Sequence, residues 1–217
     1  MIDLAPNNPY GLRLASPMMT AAGCFGYGVE YARAVPLDRI GAIVTRSVAL
    51  HARRAAPPRL VETPAGLLSV GPWAGRGLKA VLERYAAAWA AWKIPVILSV
   101  EADHAAVAEA LEGEEAVAGL ELRFDDPAEA ARTVAEVRAR TLLPLLVKLP
   151  PHDALAATAW AVADAGADAL TVIAAPPALV MDPRSGERLE GRLSGPAIRP
   201  LALRAVAEVC AVVSVPV

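Results

Sequence analysis

The segment Leu145-Leu146-Val147-Lys148-Leu149-Pro150-Pro151 constrains this chain more than any other. It leads through an Ala-rich stretch closing on Asp164-Ala165-Gly166-Ala167-Asp168 into a second apolar run, Ala169-Leu170-Thr171-Val172-Ile173. Two short, near-continuous apolar runs joined by a segment of helix length form a β-α-β unit with both strands parallel and buried. In such folds the chemistry gathers where strands end and loops begin. Lys148, one residue from the end of its strand, is therefore the first candidate functional side chain. A lysine at that position also serves simply as a strand cap into solvent, so spacing alone leaves both readings open.

The same unit repeats along the chain. Leu78 to Trp92 carries apolar residues at 78, 81, 82, 85, 89 and 92, the spacing of a helix with one buried face, and feeds the strand Pro95 to Val100. His104 to Leu111 reads as a short helix and Val117 to Leu122 as a strand. Asp126-Pro127-Ala128-Glu129 then has the form of a helix start: an Asp N-cap, Pro at the first helical position and an acid in the first turn, with the helix running to Arg140. Upstream, Ile2 to Leu4 and Leu12 to Leu14 read as a hairpin closing one end of the fold, and Gly41 to Thr45 as a buried strand ending on Arg46-Ser47. Between Ser16 and Gly28 an apolar run ends in three glycines over six positions, Gly23, Gly26 and Gly28, where backbone approaches a ligand closely or turns sharply.

Residues 51–77 lose both periodicities. They fill with proline, glycine and arginine, as in Ala56-Pro57-Pro58-Arg59 and Thr63-Pro64-Ala65-Gly66, yet keep Leu60, Leu67, Leu68 and Trp73. That balance predicts an irregular but folded cover. After Ile173 a second Pro-, Arg- and Gly-rich loop leads to the helix Pro200 to Ala211, and Val212 to Val217 reads as one more strand. Counting from Met18 gives seven strand candidates. A closed eight-stranded barrel needs one more strand and its helix.

With 217 residues, 55% apolar, and a formal net charge of −2, the chain holds one sizeable core. No Lys/Arg cluster with interleaved aromatics is present, which argues against nucleic acid or an anionic membrane as partner. The opening Met1-Ile2-Asp3-Leu4 has no basic n-region or apolar h-region, and the expected location is cytoplasmic. Cys24 and Cys210 have neither disulfide nor metal-ligand spacing, and no metal site is expected; both cysteines fit as small buried hydrophobes.

Taken together, several segments carry a specific likeness. In order they are Ala22-Gly23-x-Phe25-Gly26-Tyr27-Gly28, Gly41 to Ser47, Glu62-Thr63-Pro64-Ala65-Gly66, Pro144 to Pro150 with Lys148, Ala165 to Ala169, and Leu193-Ser194-Gly195-Pro196-Ala197-Ile198-x-Pro200. This order and spacing resembles the class 1 dihydroorotate dehydrogenases. The resemblance spans essentially the whole chain. It implies a TIM-type (β/α)8 barrel of parallel strands, here a single domain over 1–217 whose last strand or strands are missing from the given chain. It also implies FMN at the C-terminal ends of the strands, oxidation of dihydroorotate to orotate in pyrimidine synthesis, and pairing as a homodimer.

The chemistry needs a general base at one substrate carbon while the next carbon gives hydride to the flavin. The resemblance implies that Lys148 contacts the flavin ring, that Ser47 and the loop containing Ala22 and Gly23 contact flavin, and that Gly195 lies on its phosphate side. Other positions depart from the family pattern. The family base is a cysteine in a segment like Asn-x-Ser-Cys-Pro-Asn after the fourth strand. Asp126 stands in its place, with Arg123 and Ala128 where the flanking asparagines belong. An aspartate titrates far below a thiol in model peptides and needs strong desolvation to act as a base. Arg46 replaces a lysine that reaches substrate and flavin, a planar fork in place of a point charge. The substrate asparagine expected in the Thr63 to Gly71 loop is Leu68 or Ser69, and the one expected after Ile173 is Ala174. Two functions are thus expected: a dihydroorotate dehydrogenase-like flavoprotein acting on a dihydroorotate-like small molecule, or a non-catalytic barrel relative acting as a binding or partner subunit.

Overall fold

A computed structural model describes residues 2–54, 59–71, 74–182 and 185–217. Its centre is a five-stranded parallel sheet in the order β3 (Ile43–Val44), β6 (Val96–Val100), β7 (Gly119–Arg123), β8 (Leu145–Leu149) and β9 (Ala169–Val172). The connecting helices are α1 (Leu78–Ala90), α2 (His104–Ala110), α3 (Ala130–Arg138) and α4 (Leu155–Asp164), with α5 (Arg199–Cys210) following β9. Strict alternation along the strands builds two cores. Leu98, Leu120, Leu122, Leu145, Val147, Leu149 and Leu170 pack outward among the helices. Val44, Ile97, Leu146 and Ala169 face the inside of the curl. That inner core is the mark of a barrel wall rather than a flat doubly covered sheet.

The hairpin β1 (Ile2–Asp3) and β2 (Arg13–Leu14) closes one end, as expected: Ala5, Leu12 and Leu14 plug the inner core at the N-terminal end of the strands. Asp168 stitches the plug in place. Its Oδ2 accepts from Asn8 Nδ2 at 3.1 Å, the Leu145 amide at 2.8 Å and Arg138 Nη2 at 2.8 Å. On the outer side, α1 buries Leu78, Val81, Tyr85 and Trp89, and the Trp89 indole donates to the Tyr27 carbonyl at 2.9 Å, tying the glycine-rich loop to the helix layer.

Several expectations need correction. Residues 51–77 are not irregular throughout: they contain the hairpin β4 (Arg59–Thr63) and β5 (Gly66–Val70). The stretch after Ile173 likewise contains β10 (Pro177–Met181) and β11 (Arg188–Ser194). The four make an antiparallel sheet in the order β10-β11-β5-β4, so the expected cover is a folded sheet built from two distant loops. Ala56-Pro57-Pro58 and Trp73 lie outside the described residues. Met18 begins no strand; Met19 makes one parallel bridge to Ala42. Val212 to Val217 is not a strand either, and only the Pro216 carbonyl reaches β9, accepting from the Leu170 amide at 2.9 Å. The helix after Asp126 starts as a 3-10 turn over Pro127–Glu129 and becomes α-helical at Ala130. Cys24 and Cys210 are exposed rather than buried. Among the described residues, no helix is long and apolar enough to cross a membrane, and no group of three or more His, Cys, Asp or Glu is placed to hold a metal.

Candidate active site

Period-2 alternation places polar side chains where the inner core ends. On β6, Ile97 faces the apolar interior, and Ser99, two residues on, faces the layer above it. Ser99 lies opposite Glu121, and Arg123 lies opposite Lys148, itself opposite Thr171. The inward layers therefore pass from aliphatic to ionic over one residue pair per strand, at the C-terminal ends of the sheet.

These side chains are joined. Lys148 Nζ lies 3.4 Å from Glu121 Oε1, and Thr171 Oγ1 donates to Glu121 Oε2 at 3.4 Å. The lysine side chain is 11% exposed and the glutamate 2%. Lys148 is thus no solvent cap but a largely buried ammonium beside a fully buried carboxylate. Ser47 Oγ and Ser99 Oγ share a hydrogen bond of 2.9 Å, continuing the polar row to the segment that follows β3. There the Arg46 amide donates to the Gly26 carbonyl at 2.7 Å, pinning the glycine-rich loop beside Arg46 and Ser47. Ala22 packs against the inner core, and Gly23 next to it has a φ of +84° with no heavy atom within 4 Å of where a Cβ would stand. Only glycine adopts that backbone freely, and it leaves open space beside the polar row.

A second ionic group stands at the rim. Arg192, on β11, donates to Asp125 Oδ1 at 2.8 Å and to the Ala175 carbonyl at 3.5 Å, so the cover sheet is fastened to the loops after β7 and β9. Arg123 reaches the same Asp125 oxygen at 3.4 Å and Glu101 Oε2 at 3.9 Å. The Arg123 carbonyl accepts from His104 Nε2 at 3.0 Å, and the imidazole stacks on Phe124.

Burial, opposed by that carbonyl, holds the His104 imidazole below its ordinary range, so the fold keeps the ring neutral. The unfolded chain takes up this proton near pH 6.5, and stability falls as pH drops below that value. In thermal melts from pH 7.5 to about pH 5, the wild-type midpoint is expected to fall more steeply than that of His104→Phe. Parallel pH profiles would contradict this.

A family model described as dihydroorotate dehydrogenase matches residues 5–217. The chain belongs to the dihydroorotate dehydrogenase family. It is 39% identical over 232 residues to the catalytic subunit of dihydroorotate dehydrogenase B (NAD(+)) of Pelobacter propionicus, covering 96% of this chain and 76% of that protein. The protein of the same name from Desulforudis audaxviator is 36% identical, covering 95% and 75%. The structure of the dihydroorotate dehydrogenase of Eimeria tenella in complex with ferulenol superposes with a TM-score of 0.60. It covers 98% of this chain and 72% of that one at 14% identity, a likeness of fold. The curled parallel sheet is thus part of a TIM-type barrel.

Within this dihydroorotate dehydrogenase family member, the expected site residues separate into two sets. Ala22, Gly23, Arg46, Ser47 and Lys148 lie on successive segments near the strand ends: the Arg46 amide ties the glycine-rich loop, Ser47 bonds Ser99 of β6, and Lys148 pairs with Glu121 of β7. Among the described residues, Asp126 and Gly195 are engaged elsewhere. Asp126 is exposed, and its Oδ1 accepts from the Ala128 amide at 2.9 Å, which is the N-cap its sequence context predicts. Gly195, at φ +105°, lies where a Cβ would come within 2.8 Å of Gly66 Cα, so packing against the β4-β5 turn already requires glycine there. Of the two positions expected for a substrate asparagine, Leu68 is fully buried, whereas Ser69 carries a buried hydroxyl with no hydrogen-bond partner among the described residues. Sequence reading missed Glu121, Ser99 and Thr171. Their signal was parity: Gly119, Glu121 and Arg123 share one face of a strand whose other face is Leu120 and Leu122.

The donor set along the row fits the ring of a flavin: a buried ammonium, two serine hydroxyls, and a glycine loop with open space beside it. A cleft of about 770 Å3 lies at the opposite end of the strands, lined by Tyr10, Glu112, Arg138 and Arg140 among others, away from this row. Asp126→Ala is expected to cost about 1 kcal/mol, the worth of a typical N-cap, lowering the melting temperature by about 2–4 °C for a chain of this size. Its FMN affinity should equal that of the wild type. A large loss of turnover at unchanged stability would instead make Asp126 a working base.

Proposed function

We propose that this chain is a cytoplasmic flavoprotein oxidoreductase that holds FMN at the C-terminal ends of its strands. The observation that carries the reading is the buried Lys148 ammonium in the layer directly above the inner core. FMN, when bound, supplies a hydride acceptor for a substrate carbon. Lys148 would supply fixed positive charge to offset the electron density the ring gains on reduction, in a setting where solvent screens it little. Ser47 and Ser99 orient hydroxyls toward the same layer, and the Ala22-Gly23 loop forms a close wall. Arg123, at the rim beside Asp125 and Glu101, supplies a guanidinium suited to an anionic substrate such as dihydroorotate, and Arg46 stands in sequence where the family has a substrate-reaching lysine. By analogy with the relatives' name, the chain works as one subunit of a larger enzyme.

One observation favours a second reading. Asp126, at the position of the family base, is exposed and engaged as a helix cap, which fits a flavin-binding relative without dihydroorotate turnover. The two are separated by adding dihydroorotate to the FMN-loaded protein under anaerobic conditions and following the flavin's visible absorbance. Weak or absent bleaching is the expected result. Bleaching and turnover at the rate of an ordinary family member would refute the assignment of Asp126 as a cap alone.

A further inference from the structure

We infer that Glu121 is a positioning residue that fixes the Lys148 ammonium beneath the cofactor and sets how much of its charge the ring experiences. The inference rests on the reading of Lys148 as flavin-facing and extends it to a side chain one layer deeper.

Three observations meet at Glu121. Among the described residues it is the charged side chain that the structure buries fully, at 2% exposure, between the buried Leu120 and Leu122. Both carboxylate oxygens are engaged, and from two different strands: Oε1 by Lys148 of β8, and Oε2 by Thr171 of β9. The donor strands are consecutive in the sheet, so the carboxylate ties side chains of β8 and β9 to β7. A lysine has four rotatable side-chain bonds and seeks water, and a cation left free at a strand end would extend toward solvent. Glu121 is the group that holds it inward. A carboxylate in such a position also costs desolvation, and a structural role alone would be met equally well by an apolar side chain.

A second consequence is electrostatic. The pair Glu121 and Lys148 carries no net charge, so a ring placed above it meets a dipole with its positive end outward rather than a bare cation. Neutralising the glutamate while keeping its shape leaves the ammonium uncompensated and favours the reduced, electron-richer ring over the oxidised one. In Glu121→Gln the amide oxygen still accepts from Lys148, and the Thr171 hydroxyl turns to accept from the amide NH2. Glu121→Ala removes both holders at once.

The test measures FMN affinity, the midpoint potential of bound FMN and thermal stability for the wild type, Glu121→Gln and Glu121→Ala. Glu121→Gln is expected to keep FMN affinity within threefold while favouring reduced over oxidised FMN at least tenfold more than the wild type does, a rise of about 30 mV for a two-electron couple. Glu121→Ala is expected to bind FMN at least tenfold more weakly. If Glu121→Ala fails to fold, the Glu121→Gln potential decides alone. An unchanged potential in Glu121→Gln would overturn the inference and leave Glu121 structural, with FMN binding itself intact. A folded wild type that does not bind FMN would overturn the flavin reading and this inference with it, and is told apart because it appears before any substitution is made.

Discussion

Arg138→Ala is expected to destabilise the protein by about 3 kcal/mol, within the range for breaking a largely buried charge pair. Four contacts are lost together: Nη2 to Asp168 at 2.8 Å and to the Leu143 carbonyl at 3.0 Å, Nη1 to the Thr141 carbonyl at 3.3 Å, and Nε to the Gly166 carbonyl at 3.2 Å. The guanidinium gathers the end of α3, the approach to β8 and the approach to β9, and through Asp168 it reaches Asn8 of the plug. Removing it leaves Asp168 largely buried with only neutral donors. The melting temperature should drop by roughly 6–12 °C for a chain of this size. Arg138→Lys should recover less than half, because an ammonium cannot reach three carbonyls and a carboxylate with the geometry of a planar fork. A loss below about 1 kcal/mol would show that the hairpin plug does not depend on this junction.

The second large effect lies at the other end of the strands. Lys148→Met leaves the Glu121 carboxylate buried with Thr171 as its remaining partner and is expected to cost about 3–5 kcal/mol. The same substitution made together with Glu121→Leu replaces the pair by apolar side chains directly above the aliphatic inner core, and most of the loss should return. Urea unfolding of the wild type, both single variants and the double variant gives the coupling between the two positions. Additive losses would mean that the pair is not coupled in the fold. Recovery in the double variant would show that the pair adds little net stability and is retained for another reason, which is what a functional pair predicts.

The parts of this fold legible in the sequence are those whose signal is local. The run around Lys148 and the run at Ala169 to Ile173 are buried on both faces by their own neighbours, and the spacing of Leu78, Val81, Tyr85 and Trp89 writes one helix face directly. The cover sheet was illegible because its two hairpins are rich in Pro, Gly and Arg, and the pairing that joins them is not local: Leu68 of β5 lies opposite Leu193 of β11. Val212 to Val217 shows the converse error, since β-branched composition without a partner strand packs Val213 and Val215 on the core and meets β9 by backbone hydrogen bond through Pro216. At the site, Asp126 was legible as a cap because capping depends on three successive residues. Glu121 was not, since a charge near a strand end looks the same whether it faces water or an inner layer, and only closure of the sheet distinguishes them. The family likeness brought Arg46, Ser47 and Lys148 to notice but was silent on the carboxylate that holds Lys148.

A cofactor site centred on Lys148 is tested most directly by a fluorescence titration of FMN with the wild type and with the Lys148→Met, Glu121→Leu double variant. Saturable quenching by the wild type, and none by an equally folded double variant, is the predicted result. No binding by a folded wild type, or equal binding by both proteins, would contradict it.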